Sequence, residues 1–365
     1  MNDQLNNQLP QGQSTKLLIA ASGTGGHLFP AIAVAEQLQL PIEWLGVSDR
    51  LETELIPQHY PLHTVRMGGV QGKLGLGSLK LLWQFLQATL ATRRLLRRGK
   101  FQAVLTTGGY IAAPAIVAAR SLGLPAVLHE SNALPGKVTR WLSRWCSVVA
   151  LGFKDARTRL PKQAHTQWAG TPVRTQFFTD RQADLKELAI PPDVPVVVVV
   201  GGSQGALAVN RIVREAAPDL LAAGVWLIHQ TGNSDPDTEL LSHAHYIHRP
   251  FFNNIAALFQ RASLVVSRAG AGTLTELAIT HTPAILIPYP FAADDHQTYN
   301  ANAFSQTGAA LVYRQSELSG HQLKTQILDL LAQPDRLAAM ATAAGSLSTP
   351  DSAQQVAQLL LSQLQ

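Results

Sequence analysis

The chain is poor in four things, and each narrows the field. It has one cysteine, Cys146, in 365 residues, so no intramolecular disulfide forms and a reducing compartment is expected. Aromatic residues make up 6%, and no zinc-finger, RNA-recognition or basic-zipper spacing occurs. Nucleic-acid binding then has only charge in its favour, and no nucleic-acid partner is expected. No uninterrupted apolar run approaches the ~20 residues that span a bilayer, and the opening MNDQLNNQLPQGQSTK lacks a signal peptide's apolar segment. A cytoplasmic protein is expected. Charged residues are only 15%, yet the balance is +5, which favours an anionic partner such as a phosphorylated substrate or acidic lipid.

What is abundant is apolar sequence, at 46%, enough for two domains. Short runs such as KLLIAAS (16–22), FQAVLTT (101–107), PVVVVVGG (195–202) and PAILIPYP (283–290) are apolar on successive residues. That pattern suits parallel strands buried on both faces. The segments between them are long enough for crossover helices, which predicts an α/β doubly wound fold. Residues 16–38 and 195–217 both read strand, glycine loop, helix, and a polar, proline-bearing stretch separates the halves. Two Rossmann-like domains facing each other across a cleft are expected, with ligands beyond the carboxyl ends of the strands.

Four glycine loops follow strands: SGTGGH (22–27), TTGGY (106–110), GGSQGA (201–206) and SRAGAGTLTE (267–276). Glycine either makes a tight turn or lets backbone approach a ligand, and a following helix N-terminus favours phosphate. Four such loops in two matching halves favour a phosphorylated ligand. The dinucleotide fingerprint fails, because Leu28 stands where its third glycine belongs. No Walker A sequence is present. Gly201, Ser203 and Gly205 match the G-x-S-x-G elbow of hydrolases, with Asp294 and His296 following in triad order. The intact domain before the elbow argues against that alternative and for Ser203 as a phosphate donor.

Glu276, near the start of a helix, offers two oxygens to vicinal ribose hydroxyls, or closes a capping box with Thr273. Arg268 and Arg174 are candidates to neutralise diphosphate, or form surface ion pairs. DDHQTYN (294–300) suits hydrogen bonding to a sugar, and adjacent Asp294 and Asp295 without further ligands predict no obligatory metal and no cofactor. In residues 72–98, Leu79, Leu82, Trp83, Leu86 and Leu90 share a helical stripe that Leu81 and Phe85 widen, flanked by Lys73, Lys80, Arg93, Arg94, Arg97 and Arg98. The segment reads as a helix resting on anionic lipid, or as a buried amphipathic helix with a basic end.

Taken in order, GTGGHLFPAIAVA, TTGGYIAAPAIVAA, HESNALPG, AGTPVR, GGSQGA, SRAGAGTLTE and IPYPFAADDHQTYNA resemble the MurG family of peptidoglycan glycosyltransferases over nearly the whole chain. Departures are Ser131, where glutamine is usual, and Thr275, where another small residue is frequent. The resemblance implies a GT-B fold, with residues 1–173 facing acceptor and membrane, 174–350 binding donor, and 351–365 packing back on the first domain. It implies inverting transfer of N-acetylglucosamine from its UDP donor to the C4 hydroxyl of undecaprenyl-diphospho-muramoyl-pentapeptide, lipid I. The product is lipid II, formed on the cytoplasmic face of the plasma membrane by a peripheral protein. It assigns donor binding to Thr24, Gly25, Gly26, Asn132, Arg174, Ser203, Phe252, Arg268, Ala271, Gly272, Thr273, Leu274, Thr275, Glu276 and Gln297. Within that set Phe252 lies beside uracil, Glu276 on ribose and Gln297 on the sugar. The acceptor diphosphate falls to Gly25, Gly26, Gly108, Gly109 and Tyr110. The reaction needs a base, for which His27, with a reference pKa near ~6.5, is the first candidate and Glu130 the second. A related transferase with another lipid acceptor, or an epimerase, is the alternative within this fold.

Overall fold

The computed structural model describes residues 15–48, 52–67, 76–201 and 205–364, and the chain divides into two units, Met1–Arg174 with Pro350–Gln365, and Thr175–Thr349. Ser203 lies outside the described residues.

In the first unit the apolar runs become β1 (Leu17–Ala21), β2 (Ile42–Val47), β3 (Leu62–Val65), β4 (Ala103–Gly108), β5 (Ala126–Glu130), β6 (Val148–Leu151) and β7 (Thr166–Trp168). They form one sheet in the order β3-β2-β1-β4-β5-β6-β7, with every pair parallel. The second unit has β8 (Val196–Val200), β9 (Trp226–Gln230), β10 (Tyr246–Arg249), β11 (Leu264–Ser267), β12 (Ala284–Leu286) and β13 (Ala310–Val312). Its order, β10-β9-β8-β11-β12-β13, is also all parallel. The central strands β1 and β8 are buried along their whole length. That burial is why their sequences do not alternate.

The strand order reverses direction between β1 and β4, and again between β8 and β11. Ligands of open parallel sheets bind outside the carboxyl ends of the strands at such reversals. The four loops that leave β1, β4, β8 and β11 are the four glycine loops of the sequence. The topology therefore places all four loops beside the winding reversals.

Seven helices matter for the site and its surroundings: α1 (Gly25–Ala35), α2 (Leu76–Arg98), α3 (Ala112–Ser121), α4 (Lys137–Leu142), α5 (Leu207–Ala222), α6 (Ala271–Ile279) and α7 (His296–Ser305). An eighth, α8 (Ser352–Ser362), sends Val356, Ala357, Leu360 and Leu361 into the core of the first unit beside α1. The Ser352 hydroxyl donates to the Thr171 carbonyl at 2.9 Å, tying the returning chain to the segment that leaves.

Helix α2 turns an unexpected face inward. Ala88, Thr92 and Leu96, at four-residue spacing, are buried, whereas Leu82, Trp83, Leu86 and Leu90 are 45–61% exposed. The described part of this apolar stripe therefore faces outward, and the small Ala88 and Thr92 allow close packing on the neighbouring elements. Leu79 and Lys80 belong to α2, but their side chains lie outside the described set. Among the described residues no helix is long and apolar enough to cross a membrane.

The second unit is laced by a buried polar network where α5 meets β9. Asn210 donates through Nδ2 to the Thr231 carbonyl and to Asp235, so its Oδ1 accepts from His229 Nε2 at 3.0 Å. His229 Nδ1 then accepts from the Tyr246 hydroxyl at 2.9 Å. Burial tends to raise the Asp235 pKa, but the two-pronged contact with Arg214 holds it below its ordinary value. Burial also keeps His229 neutral, its pKa pushed down to about 3. The unfolded chain takes up a proton near pH ~6.5 that the folded chain refuses until about 3, so stability falls with acidification in that window. Urea unfolding between pH 7 and 4 should lose up to about 1.4 kcal/mol per pH unit from this residue. His229→Gln should be less stable at pH 7 and should lack that part of the slope.

Candidate active site

The loop after β1 and the loop after β4 are built against one another. Thr24 precedes α1 as its N-cap and makes no side-chain cap, so the first amides of α1 are not closed by a neighbouring hydroxyl. His27 lies in the first turn, with Nδ1 2.9 Å from the Thr107 carbonyl. A carbonyl only accepts, so in the neutral ring Nδ1 carries the proton and Nε2 holds the basic lone pair. Thr107 returns a hydroxyl bond to the His27 carbonyl at 2.7 Å. Gly108 and Gly109 take φ of +111° and +80°. A β-carbon on Gly108 would meet the His27 ring at 2.7 Å, and one on Gly109 the Ser22 carbonyl at 2.2 Å. Here glycine is needed to seat one loop on the other; Tyr110 follows, half-buried.

Glu130 ends β5 and is 6% exposed. Its Oε1 accepts from the Asn132 amide and side chain, both at 3.0 Å. Its Oε2 accepts from the Gly136 amide at 2.9 Å and the Thr139 hydroxyl at 2.6 Å. A buried carboxylate with four donors organises its loop and is poorly placed to take a substrate proton. The expectation of Glu130 as second base is corrected on that ground, and the Asn132 amide group is engaged with it. Beside it, buried His129 donates Nε2–H to the Gly170 carbonyl and faces the Ser131 hydroxyl at 3.3 Å. Burial lowers the His129 pKa. Ser131, the departure from the usual glutamine, thus has a partner within its own strand end.

Arg174 closes the first unit. Its guanidinium carbon sits 3.9 Å from the centroid of the Phe29 ring, so it is stacked on α1.

In the second unit α6 starts after Gly270, which supplies no side-chain cap. The amides of Ala271, Gly272 and Thr273 open the helix, and a helix start of this kind is one that favours negative charge. The capping box expected from Thr273 and Glu276 is corrected, since both lie inside the helix. Leu274 is 1% exposed, which leaves only its backbone near any ligand. The Thr275 hydroxyl bonds back to the Ala271 carbonyl at 2.9 Å. Glu276 is half-buried one turn in.

Arg268 is corrected as a direct diphosphate ligand. It is 8% exposed and donates to the Ile287 and Pro288 carbonyls at 3.1 Å and to Gln315 at 2.6 Å. Burial lowers its pKa, and it pins the β12 loop. Gln297, in α7, accepts through Oε1 from the Ala269 amide at 3.2 Å and the Tyr289 amide at 2.9 Å. Its NH2 group is what remains for a sugar hydroxyl. Asp294 and Asp295 both adopt left-handed backbone before α7. His296 Nδ1 bonds to the Ala293 carbonyl at 2.8 Å, where a hydrolase triad would need a carboxylate.

Phe252 is buried, so its ring is no platform for a base; its amide donates to Gln230 Oε1 at 3.0 Å. Gln230, Thr107, Thr139 and Phe29 are the site-shaping residues that sequence reasoning missed. HQTG (229–232), at a strand end, was the available signal for Gln230.

Two parallel-sheet units, each with a winding reversal at its centre, are those of the GT-B fold. The chain belongs to glycosyltransferase family 28: residues 17–151 match its N-terminal domain and 196–356 its C-terminal domain. A relative from Nostoc sp. (strain PCC 7120) is 58% identical over 346 residues, 94% of this chain and 97% of the relative. It is named UDP-N-acetylglucosamine–N-acetylmuramyl-(pentapeptide) pyrophosphoryl-undecaprenol N-acetylglucosamine transferase. Crystalline MurG of Acinetobacter baumannii is 31% identical with a TM-score of 0.73, covering 95% of this chain and 99% of that one. The UDP-GlcNAc 2-epimerase of Methanocaldococcus jannaschii, at 12% identity and TM-score 0.63 over 95% and 99% of the two chains, shares the fold alone.

Glu130→Gln would put an NH2 group against donors. Chemical denaturation should register a loss of about 2–3 kcal/mol, with transferase activity reduced through the disturbed loop.

Proposed function

We propose that this chain transfers N-acetylglucosamine from UDP-N-acetylglucosamine to the muramoyl C4 hydroxyl of lipid I, forming lipid II with inversion at the anomeric carbon. The observation that carries this reading is His27, its Nε2 made basic by the Thr107 bond, at the winding reversal of a family 28 transferase. The full-length identity to the Nostoc transferase supports the choice of donor and acceptor.

In this reading His27 takes the hydroxyl proton as the C–O bond forms opposite the departing UDP. The α6 N-terminus stabilises the charge that develops on the leaving diphosphate. Ser203 and Arg174 add donors to it, Glu276 accepts from the ribose, and Gln297 meets the sugar. Thr24, Gly25 and Gly26 border the donor, and the amides of Gly25 and Gly26 with Gly108, Gly109 and Tyr110 receive the acceptor diphosphate. The Phe252 backbone lies beside the uracil. Arg268 and Asn132 act by holding their loops.

The acceptor is lipid-linked, and the first unit has a surface suited to an anionic bilayer. Residues 55–154 contain thirteen lysines and arginines and one carboxylate, the buried Glu130. On α2 the exposed Leu82, Trp83 and Leu86 share the helix with Arg93 and Arg94, and on α4 Trp141 is 69% exposed next to Arg140 in the chain. Exposed apolar and aromatic groups set among basic ones suit the headgroup layer. This supports a peripheral protein on the cytoplasmic face of the plasma membrane.

Incubation with labelled UDP-N-acetylglucosamine and a lipid I analogue should yield the disaccharide lipid; absence of product would sink the reading. His27→Ala should cut kcat by about 10²–10⁴-fold while UDP binding, measured by calorimetry, persists. Replacing Leu82, Trp83 and Leu86 with serine should weaken sedimentation with phosphatidylglycerol vesicles, and salt should weaken it further; unchanged binding would reject this face.

A further inference from the structure

Phe29 lies two residues beyond His27 on α1, half-buried, with its side chain packed against the core of the first unit. Two groups beside its ring bear on the site. On one side is Gly25, where an added β-carbon would stand 2.7 Å from Phe29 Cε2. The other is the Arg174 guanidinium, 3.9 Å from the ring centroid. Gly25 is thus explained by the ring it must clear. Arg174 is the last residue of the first unit before the chain passes into the second. A long cationic side chain at such a crossing has many rotamers to lose, and a flat aromatic face restricts them.

We propose that Phe29 is a positioning residue for Arg174: its ring holds the guanidinium at the helix that carries His27, oriented for the donor diphosphate. The inference rests on the reading of Arg174 as a donor ligand. A cation held over an aromatic face is restrained without that contact itself being a hydrogen bond, and a planar guanidinium suits phosphate oxygens. Lysine has no planar face to match.

The test compares Phe29→Leu, Phe29→Met, Phe29→Tyr, Arg174→Ala and the Leu/Ala double variant of the full chain. Each is measured for kcat, for KM toward UDP-N-acetylglucosamine with a lipid I analogue, and for thermal unfolding. Phe29→Leu and Phe29→Met, which fill space without a π face, should raise donor KM about three- to thirty-fold with a smaller change in kcat. Phe29→Tyr should restore it. In the Arg174→Ala background Phe29→Leu should add nothing to donor KM. Additive effects, or a normal donor KM in whichever of the Leu and Met variants folds, would overturn the inference while leaving Arg174 as a ligand. A normal donor KM in Arg174→Ala would instead overturn the reading of Arg174 itself.

Discussion

The reversal of winding in each parallel sheet is the constraint on which the site depends. A right-handed crossover places successive helices on one face, and only when the chain returns to the middle and winds the other way does a gap open between adjacent loops. In this protein β1 and β4 flank one reversal and β8 and β11 the other. The buried, non-alternating strands Leu17–Ala21 and Val196–Val200 form the axis of each unit. His27, Gly108, Gly109 and the start of α6 lie at or after the ends of β1, β4 and β11, while Arg174 follows β7 and Gln297 lies on α7 after β12.

Around that frame the polar side chains divide into those buried and paired and those left half-buried. Glu130, His129, Asn210 and His229 are buried and satisfied by carbonyls, amides or one another. Burial of this kind is tolerated only because each group is paired, and once paired it fixes a loop firmly. His27, Glu276 and Gln297 are half-buried and sit in the first or second turn of their helices. A residue type alone does not separate the two sets: Arg268 and Arg174 looked alike in sequence, yet one is spent on carbonyls and the other lies on a ring.

The surface of the first unit follows from a similar division. On α2 the small residues Ala88 and Thr92 take the inward face, leaving Leu82, Trp83 and Leu86 outside. The basic residues of that unit face few carboxylates within their own segment. Those two features together make an amphipathic, cationic surface without a membrane-crossing helix among the described residues.

The sequence by itself determined the α/β class, the repeated strand–loop–helix plan, the four glycine loops and the motif order shared with family 28. Those are local properties: strand burial leaves apolar runs, and helix starts leave glycine and small residues. Only the tertiary structure decided that Glu130 ties a loop, that Thr273 and Glu276 form no capping box, and that a side chain at Gly108 would meet the His27 ring. It alone brought Phe29 to Arg174, 145 positions apart in the chain. Partners in a hydrogen bond or a stack are chosen by proximity in space, and a sheet whose neighbours are far apart in sequence conceals that proximity from any local pattern.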